Sequence, residues 1–406
     1  MRLRVLLSAY ACEPHRGSEA GIGWNWVRQA ARFHEVWVMT RSNNREAIEA
    51  AASSLPPGAV HWIYYDLPRS LRFWKRGARG MRVYYYLWQI GIWRLARRLR
   101  ATTHFDLVHH VTIGNYWTPS FLALLPTPFI WGPVGGGESA PRPFYATFGV
   151  RGRIFEHTRD ILRRVGELDP FLRTTSRRAR VGIATTPETA ATLARLGARR
   201  VRVLSHVGLP RDEITELTAI PFRREAPVRF VSIGRLLHWK GYHLGIRAFA
   251  RLAREDPTTE YWIIGDGPDR RRLEAVARSC GVSDRVQFLG VLPRERVMRA
   301  LEQCDVLVHP SLHDSGGYVC VEAMAAGRPV IALGLGGPAL LVSPETGFLI
   351  PARDPEQVQT DLADALAHIA RDPLLRRRLS EAARQAVCTR FDWDRKGDVL
   401  SDLYGN

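Results

Sequence analysis

Short, continuous apolar runs recur along the chain, each closed by turn-forming residues and followed by a segment of helical period. Runs of that kind read as strands buried on both faces, the mark of a parallel sheet. Leu3–Ala9, Val36–Thr40, Val60–Tyr65, Asp106–Val111, Thr127–Trp131, Val181–Thr185 and Val201–Leu204 make a first set. Val228–Ile233, Glu260–Ile264, Val286–Gly290, Asp305–His309 and Pro329–Leu333 make a second. Helices are predicted between them at Trp24–Phe33, Tyr242–Arg251 and Tyr318–Ala326, the last stopped by Gly327 and Pro329. A chain of 406 residues is too long for one ordinary core, so two α/β domains are expected. His206–Pro227, with three prolines and no clear apolar period, reads as a linker. The predicted layout is a first domain at 1–205, a linker at 206–227, a second domain at 228–385 and a terminal helix at 386–406.

Ligands of open α/β sheets bind at the carboxyl edge of the strands, so the loops there carry the candidate chemistry. After the strand ending at His309, the loop Pro310–Gly317 holds Asp314, Gly316 and Gly317, and Glu322 follows in the helix. Glycine amides at a helix start suit phosphate or sugar oxygens, and carboxylates suit vicinal hydroxyls. The plainer alternative makes Asp314 a helix cap and Glu322 a solvated position. After the strand ending at Ile233 come Gly234, Arg235 and Lys240, two cations beside a helix start, the makings of a diphosphate site. In the first half, Tyr10–Gly23 is read as a glycine-bearing loop that includes Gly21. Four glycines within 132–137, among them Gly136, place backbone close to a partner, with Glu138 next in line.

The stretch around Asp314 resembles the nucleotide-sugar signature of the family-4 retaining glycosyltransferases. Pro310, Ser311, Gly317, Glu322, Ala323, Met324, Ala325, Gly327, Pro329 and Val330 all match, and Asp314 stands where the family has glutamate. Gly-Arg-x-x-x-x-Lys-Gly at 234–241 is similar to the family's diphosphate clamp. The resemblance implies the GT-B fold, α/β with two facing Rossmann-like domains and a central cleft. It implies transfer of a sugar from a nucleoside diphosphate donor to a saccharide or lipid-linked acceptor, with retention and without a metal or other cofactor. Arg235 and Lys240 would stabilise the leaving diphosphate, Asp314 would grip the donor sugar, and Glu322 the ribose. Backbone at Val291 and Leu292 would hold the base, and Gly21 would face the phosphates. The family's Asp-x-x-His-x-His strand corresponds loosely to 106–111, where His109 and His110 both stand near the strand end and His110 is the preferred cleft residue. Gly136 and Glu138 would meet the acceptor. Two other readings stay open: a nucleotide-sugar 2-epimerase on the same architecture, and a non-catalytic, membrane-bound binder of sugar nucleotides or polysaccharide.

Charge changes the picture of the first half. Residues 1–205 hold 31 Lys and Arg against 13 Asp and Glu, while the remainder holds 27 of each sign. The whole formal excess of +18 therefore lies in the first half, which points to an anionic partner. Between Asp66 and Arg100, arginines alternate with aromatic residues, a mix suited to an anionic membrane surface or to one or two helices with a buried aromatic face. No nucleic-acid motif accompanies it, and nucleic acid is not expected as a partner. Five scattered cysteines without metal spacing suggest a reducing compartment and no structural metal. Without a long apolar run, the expected location is cytoplasmic, peripheral on the inner face of the cell membrane.

Overall fold

A computed structural model describes residues 2–14, 16–75, 77, 80–222 and 227–405. They form two compact units, one of residues 1–137, 159–206 and 393–406, the other of 138–158 and 207–392.

The first unit holds seven strands: β1 (Arg4–Ala9), β2 (Glu35–Thr40), β3 (Val60–Tyr64), β4 (Leu107–Thr112), β5 (Phe129–Val134), β6 (Ala179–Ala184) and β7 (Val201–Val203). All pair in parallel in the order β3-β2-β1-β4-β5-β6-β7, with Val5 opposite Val36 on one side and Leu107 on the other. β1 and β4 are buried almost end to end, as strands inside a parallel sheet are, and the polar Ser8, His109 and His110 are buried with them. The first helix begins at Ser18 rather than Trp24, so Gly21 and Gly23 lie inside it. A Cβ on Gly21 would stand 1.8 Å from the Arg16 carbonyl oxygen, and one on Gly23 2.0 Å from that of Ala11. These glycines are spent on folding the preceding loop against the helix, which sequence spacing could not reveal. Only the second half of the basic aromatic stretch is a long helix, Met81–Leu99, which buries Tyr84, Tyr85 and Trp88; among the described residues the first half holds one short 3-10 turn, Arg69–Leu71. The terminal helix, Trp393–Gly405, packs in this unit, where Trp393 meets Trp26 edge-on and Tyr404 bonds His109.

The second unit holds six strands: β8 (Arg229–Ile233), β9 (Glu260–Ile264), β10 (Val286–Gly290), β11 (Val306–His309), β12 (Val330–Leu333) and β13 (Gly347–Ile350). Their order, β10-β9-β8-β11-β12-β13, repeats that of the first sheet with one strand fewer. In each sheet the order reverses beside its first strand, a Rossmann switch point that leaves a crevice at the carboxyl edge. The helix Tyr242–Glu255 lays a largely apolar face on one side of the sheet, and Tyr318–Ala325 lies on the other.

Two segments depart from the expected layout. The helix Arg211–Thr218 occupies the stretch read as linker, and its Ile214 and Leu217 join the core of the second unit. Prolines at 210 and 221 flank a short helix there rather than a flexible tether. Of that stretch, 223–226 lie outside the described residues. Residues 138–158, expected in the first domain, belong to the second unit because Phe144 and Phe148 are buried in its core.

Candidate functional site

In the second unit the chain leaves β8 and β11 on either side of the switch point, and the two loops meet there. Gly241 makes the approach possible. It has φ of +66°, and a Cβ would lie 1.9 Å from the Pro310 carbonyl oxygen. Leu312 N–H also donates to the Trp239 carbonyl at 2.7 Å, tying the loops together along the backbone.

At their meeting point, Lys240 Nζ lies 2.5 Å from Asp314 Oδ2, and His309 Nε2 donates to the same oxygen at 3.3 Å. The other oxygen, Oδ1, accepts from the Gly316 and Gly317 amides at 3.0 and 3.1 Å. Burial opposes ionisation of Asp314, but the Lys240 charge and the His309 ring outweigh it and hold the carboxyl well below the usual range. The sequence left Asp314 as helix cap or sugar ligand; its bonds close the loop just before the helix, whose N-cap position, Gly317, takes no side-chain cap. The glycine amides expected to face a ligand are turned onto Asp314. Arg235 stands exposed in the loop after β8 and forms no hydrogen bond or ion pair among the described residues. Gly234 has φ of +146°, and a Cβ there would press on the Tyr242 hydroxyl at 2.9 Å.

Glu322, in the helix after Gly317, accepts from Arg294 Nη1 at 2.9 Å, and the same guanidinium pairs with Glu213. Glu322 is therefore a paired group rather than a solvated one. Val291 is largely exposed just past β10, while Leu292 is half-buried against the core. Gly336 and Gly337, after β12, wrap the Asp314 loop: the Gly337 amide donates to the Asp314 carbonyl at 2.7 Å. A Cβ on Gly336 would meet Glu138 Cγ at 3.2 Å, so Glu138 is buried beside the loop that carries Asp314. Glu138, expected to meet the acceptor in the first domain, thus sits within the second unit.

The first unit places its candidates at the carboxyl edge of its sheet. His109 Nε2 donates to the Gly132 carbonyl and its Nδ1 accepts from Tyr404, both at 2.6 Å, and burial pushes its pKa down to about 3. It is a satisfied core histidine. His110 faces Tyr85, whose hydroxyl lies 3.3 Å from Nε2, and burial lowers it to about 4. Both rings are neutral near pH 7. Tyr10 follows β1, Arg41 follows β2 and Asp66 lies just past β3. The Arg41 guanidinium lies 5.2 Å from both the Tyr10 and Tyr84 ring centres and bonds Asp66 at 3.0 Å. Gly136 has φ of +90°, and a Cβ there would strike the Trp117 ring at 2.5 Å, so its lack of a side chain serves packing inside the unit. Gly21, expected to face phosphates, likewise serves internal packing.

Sequence reasoning missed Glu156, whose carboxylate lies between His238 and His313, and the Arg294 bridge. Each joins residues far apart in the chain, and no local pattern announces them. The Gly336-Gly337 pair directly after an apolar run was the one readable signal.

Residues 213–386 match the family model for glycosyl transferases group 1. The lipopolysaccharide core biosynthesis glycosyltransferase LpsE of Rhizobium meliloti is 33% identical over 225 residues, 55% of this chain and 62% of LpsE. A 2-deoxystreptamine glucosyltransferase of Streptomyces kanamyceticus is 38% identical over 141 residues, 35% of this chain and 36% of the relative. The chain thus spans less than two thirds of the curated relatives it matches. Over the whole chain the fold is similar to sucrose-phosphate synthase of Thermosynechococcus elongatus, with TM-score 0.62, 21% identity and coverage of 99% and 98%. It is equally similar to Anabaena HepE, solved with UDP and glucose, with TM-score 0.62, 18% identity and complete coverage of both chains. The second unit thus matches the glycosyl transferases group 1 model, and the two Rossmann-like units have the GT-B fold.

Proposed function

We propose that this chain is a retaining, metal-independent glycosyltransferase that moves a sugar from a nucleoside diphosphate sugar to a saccharide or lipid-linked acceptor, in polysaccharide or glycolipid synthesis. The observation that carries the reading is the meeting of Lys240 and Asp314 at the switch point, with Arg235 in the same loop as Lys240. A donor diphosphate exchanges with Asp314 for the Lys240 ammonium and takes Arg235 as a second cation. Charge growing on the leaving phosphate then meets fixed positive charge, the electrostatic route to a lower barrier. Asp314, freed from Lys240, accepts from hydroxyls of the donor sugar. Glu322 turns from Arg294 to the ribose, and backbone at Val291 and Leu292 takes the base. Retention follows from the family resemblance, in which the acceptor attacks from the face of the departing phosphate.

The acceptor is assigned to the first unit. Cations and aromatics at its sheet edge, Arg41 and Lys75 around Tyr84, support an acceptor that carries negative charge, with His110 beside the same aromatic group. Phe73 is 78% exposed, and Leu71 and Val83 are exposed beside Arg72, Lys75 and Arg82. That mix supports peripheral contact with an anionic membrane, on the cytoplasmic face. Arg76 and Arg79, from the same stretch, lie outside the described residues. Among the described residues no helix is long and apolar enough to cross a membrane.

The test is a thermal-shift screen against UDP, GDP, ADP and their sugars, followed by anomeric analysis of product formed with and without EDTA. Stabilisation by one nucleotide and its sugar is expected, because only a ligand of the folded state raises the midpoint. Stabilisation by none would sink the reading. Sugar interconversion without acceptor would mark an epimerase, and binding without transfer or hydrolysis a non-catalytic binder.

A further inference from the structure

The helix Val150–Glu167 carries Glu156, a carboxylate with no solvent exposure. Its Oε1 accepts from His238 Nε2 at 2.8 Å and from His313 Nε2 at 3.2 Å. These histidines belong to the two loops that carry the candidate donor chemistry: His238 stands two residues before Lys240, and His313 immediately before Asp314. One carboxylate oxygen therefore spans both loops. Aromatic stacking repeats the link. Trp239 is sandwiched between Phe155, at 5.0 Å and 17°, and His313, at 5.1 Å and 16°. The helix lies close, since a Cβ on Gly152 would come within 2.9 Å of the His238 ring.

Burying a carboxylate is costly, and apolar side chains of similar size commonly serve stability as well or better. The position of this one suggests what it is kept for. The loops are also held together by the Lys240–Asp314 pair. On the reading proposed above, a donor must part that pair, and the ammonium and carboxylate must then stay within hydrogen-bonding reach of separate groups on one ligand. A misplacement on the order of 1 Å can cost about 10²-fold in rate.

We propose that Glu156 is a positioning residue of the donor site, bracing the Lys240 and Asp314 loops through His238 and His313 once the ligand has opened the pair between them. This rests on the donor-site reading. It adds that a residue from the segment between β5 and β6 completes the site without touching the donor.

The experiment uses the full chain and compares wild type with Glu156→Ala, Glu156→Gln and His313→Phe. Hydrogen exchange at 311–317 is measured without ligand. Nucleoside diphosphate affinity is measured by calorimetry with UDP, GDP and ADP, and turnover is measured with the matching sugar donor. Glu156→Ala is expected to speed exchange across 311–317, weaken diphosphate binding, and lower turnover by about 10²-fold. Glu156→Gln keeps an oxygen that can accept from both rings and should recover most of the loss. His313→Phe keeps the stack on Trp239, removes one link and should show an intermediate defect, which covers the case in which the alanine variant does not fold. Unchanged exchange in Glu156→Ala, or wild-type affinity and turnover in a folded variant with a lowered melting point, would overturn the proposal. So would a glutamine variant as damaged as the alanine one. If wild type binds no nucleoside diphosphate, the donor-site reading itself fails; if wild type binds and Glu156→Ala binds equally, only the brace fails.

Discussion

Lys240 Nζ lies 2.5 Å from Asp314 Oδ2, so the cation expected to meet the donor phosphates is already neutralised by the carboxylate expected to meet the donor sugar. Two further donors, the Gly316 and Gly317 amides, also point at Asp314. On the proposed reading, donor binding is an exchange of partners at Lys240 and Asp314 rather than the filling of open positions.

Removing either cation should separate stability from catalysis. Arg235→Ala is expected to cut turnover by about 10²-fold, as loss of charge stabilisation at a leaving group does, with the melting point unchanged because Arg235 is exposed. Lys240→Ala should cut turnover as deeply and also lower the melting point, since Asp314 loses its counter-ion. Adding Asp314→Asn to Lys240→Ala should restore part of the stability and none of the activity. Wild-type turnover in either single variant would remove the diphosphate assignment.

Lengthening Asp314 tests its role toward the sugar. Asp314→Glu is expected to change donor-sugar preference or affinity while binding of the free nucleoside diphosphate stays close to wild type. Calorimetry with nucleotide and nucleotide sugar separates the two. Equal losses for both ligands would leave Asp314 as the loop-closing residue that its bonds to Gly316 and Gly317 already make it.

Membrane contact is expected to be electrostatic. Each basic residue near an anionic surface contributes about 1 kcal/mol and the attraction fades within a Debye length. Co-sedimentation with vesicles should therefore rise with anionic lipid content and fall with salt. Arg72→Glu with Lys75→Glu should weaken it, and Phe73→Ser should weaken it at every salt concentration. Binding indifferent to lipid charge, or no binding, would leave the stretch with a packed helix, Met81–Leu99, and no membrane role.

Lys396 offers a test on stability alone. It is buried in the terminal helix with Nζ donating to the Ser205 carbonyl at 2.6 Å, and burial lowers its pKa from 10.5 to about 8. Below about pH 8 the lysine is charged in both folded and unfolded chains, so the folded state carries the full burial penalty. Between about 8 and 10.5 the unfolded chain binds the extra proton, and stability should rise with pH. Lys396→Met should lack that rise, and parallel pH profiles of the two proteins would show that Lys396 is not the cause.

The sequence alone determined that two parallel sheets are present, because strands buried on both faces are written as short, mainly apolar runs, as at Val5–Leu7 and Val330–Leu333. It also singled out the loops that carry Asp314, Lys240 and Arg235 as candidates, since these loops follow such runs. Only the tertiary structure decided how those groups are used. Gly21 and Gly136 looked like open backbone for a ligand, yet the directions their side chains would take are filled by the Arg16 carbonyl and the Trp117 ring. Glycine reports close approach without saying what approaches. Glu138 and Glu156 lie in the first half of the sequence but fold into the second unit. Glu156 meets His238 and His313 across 82 and 157 positions, and contacts at that separation leave no periodicity to read. Local pattern fixes what a segment becomes; which distant carboxylate braces it is set by the packing of the whole unit.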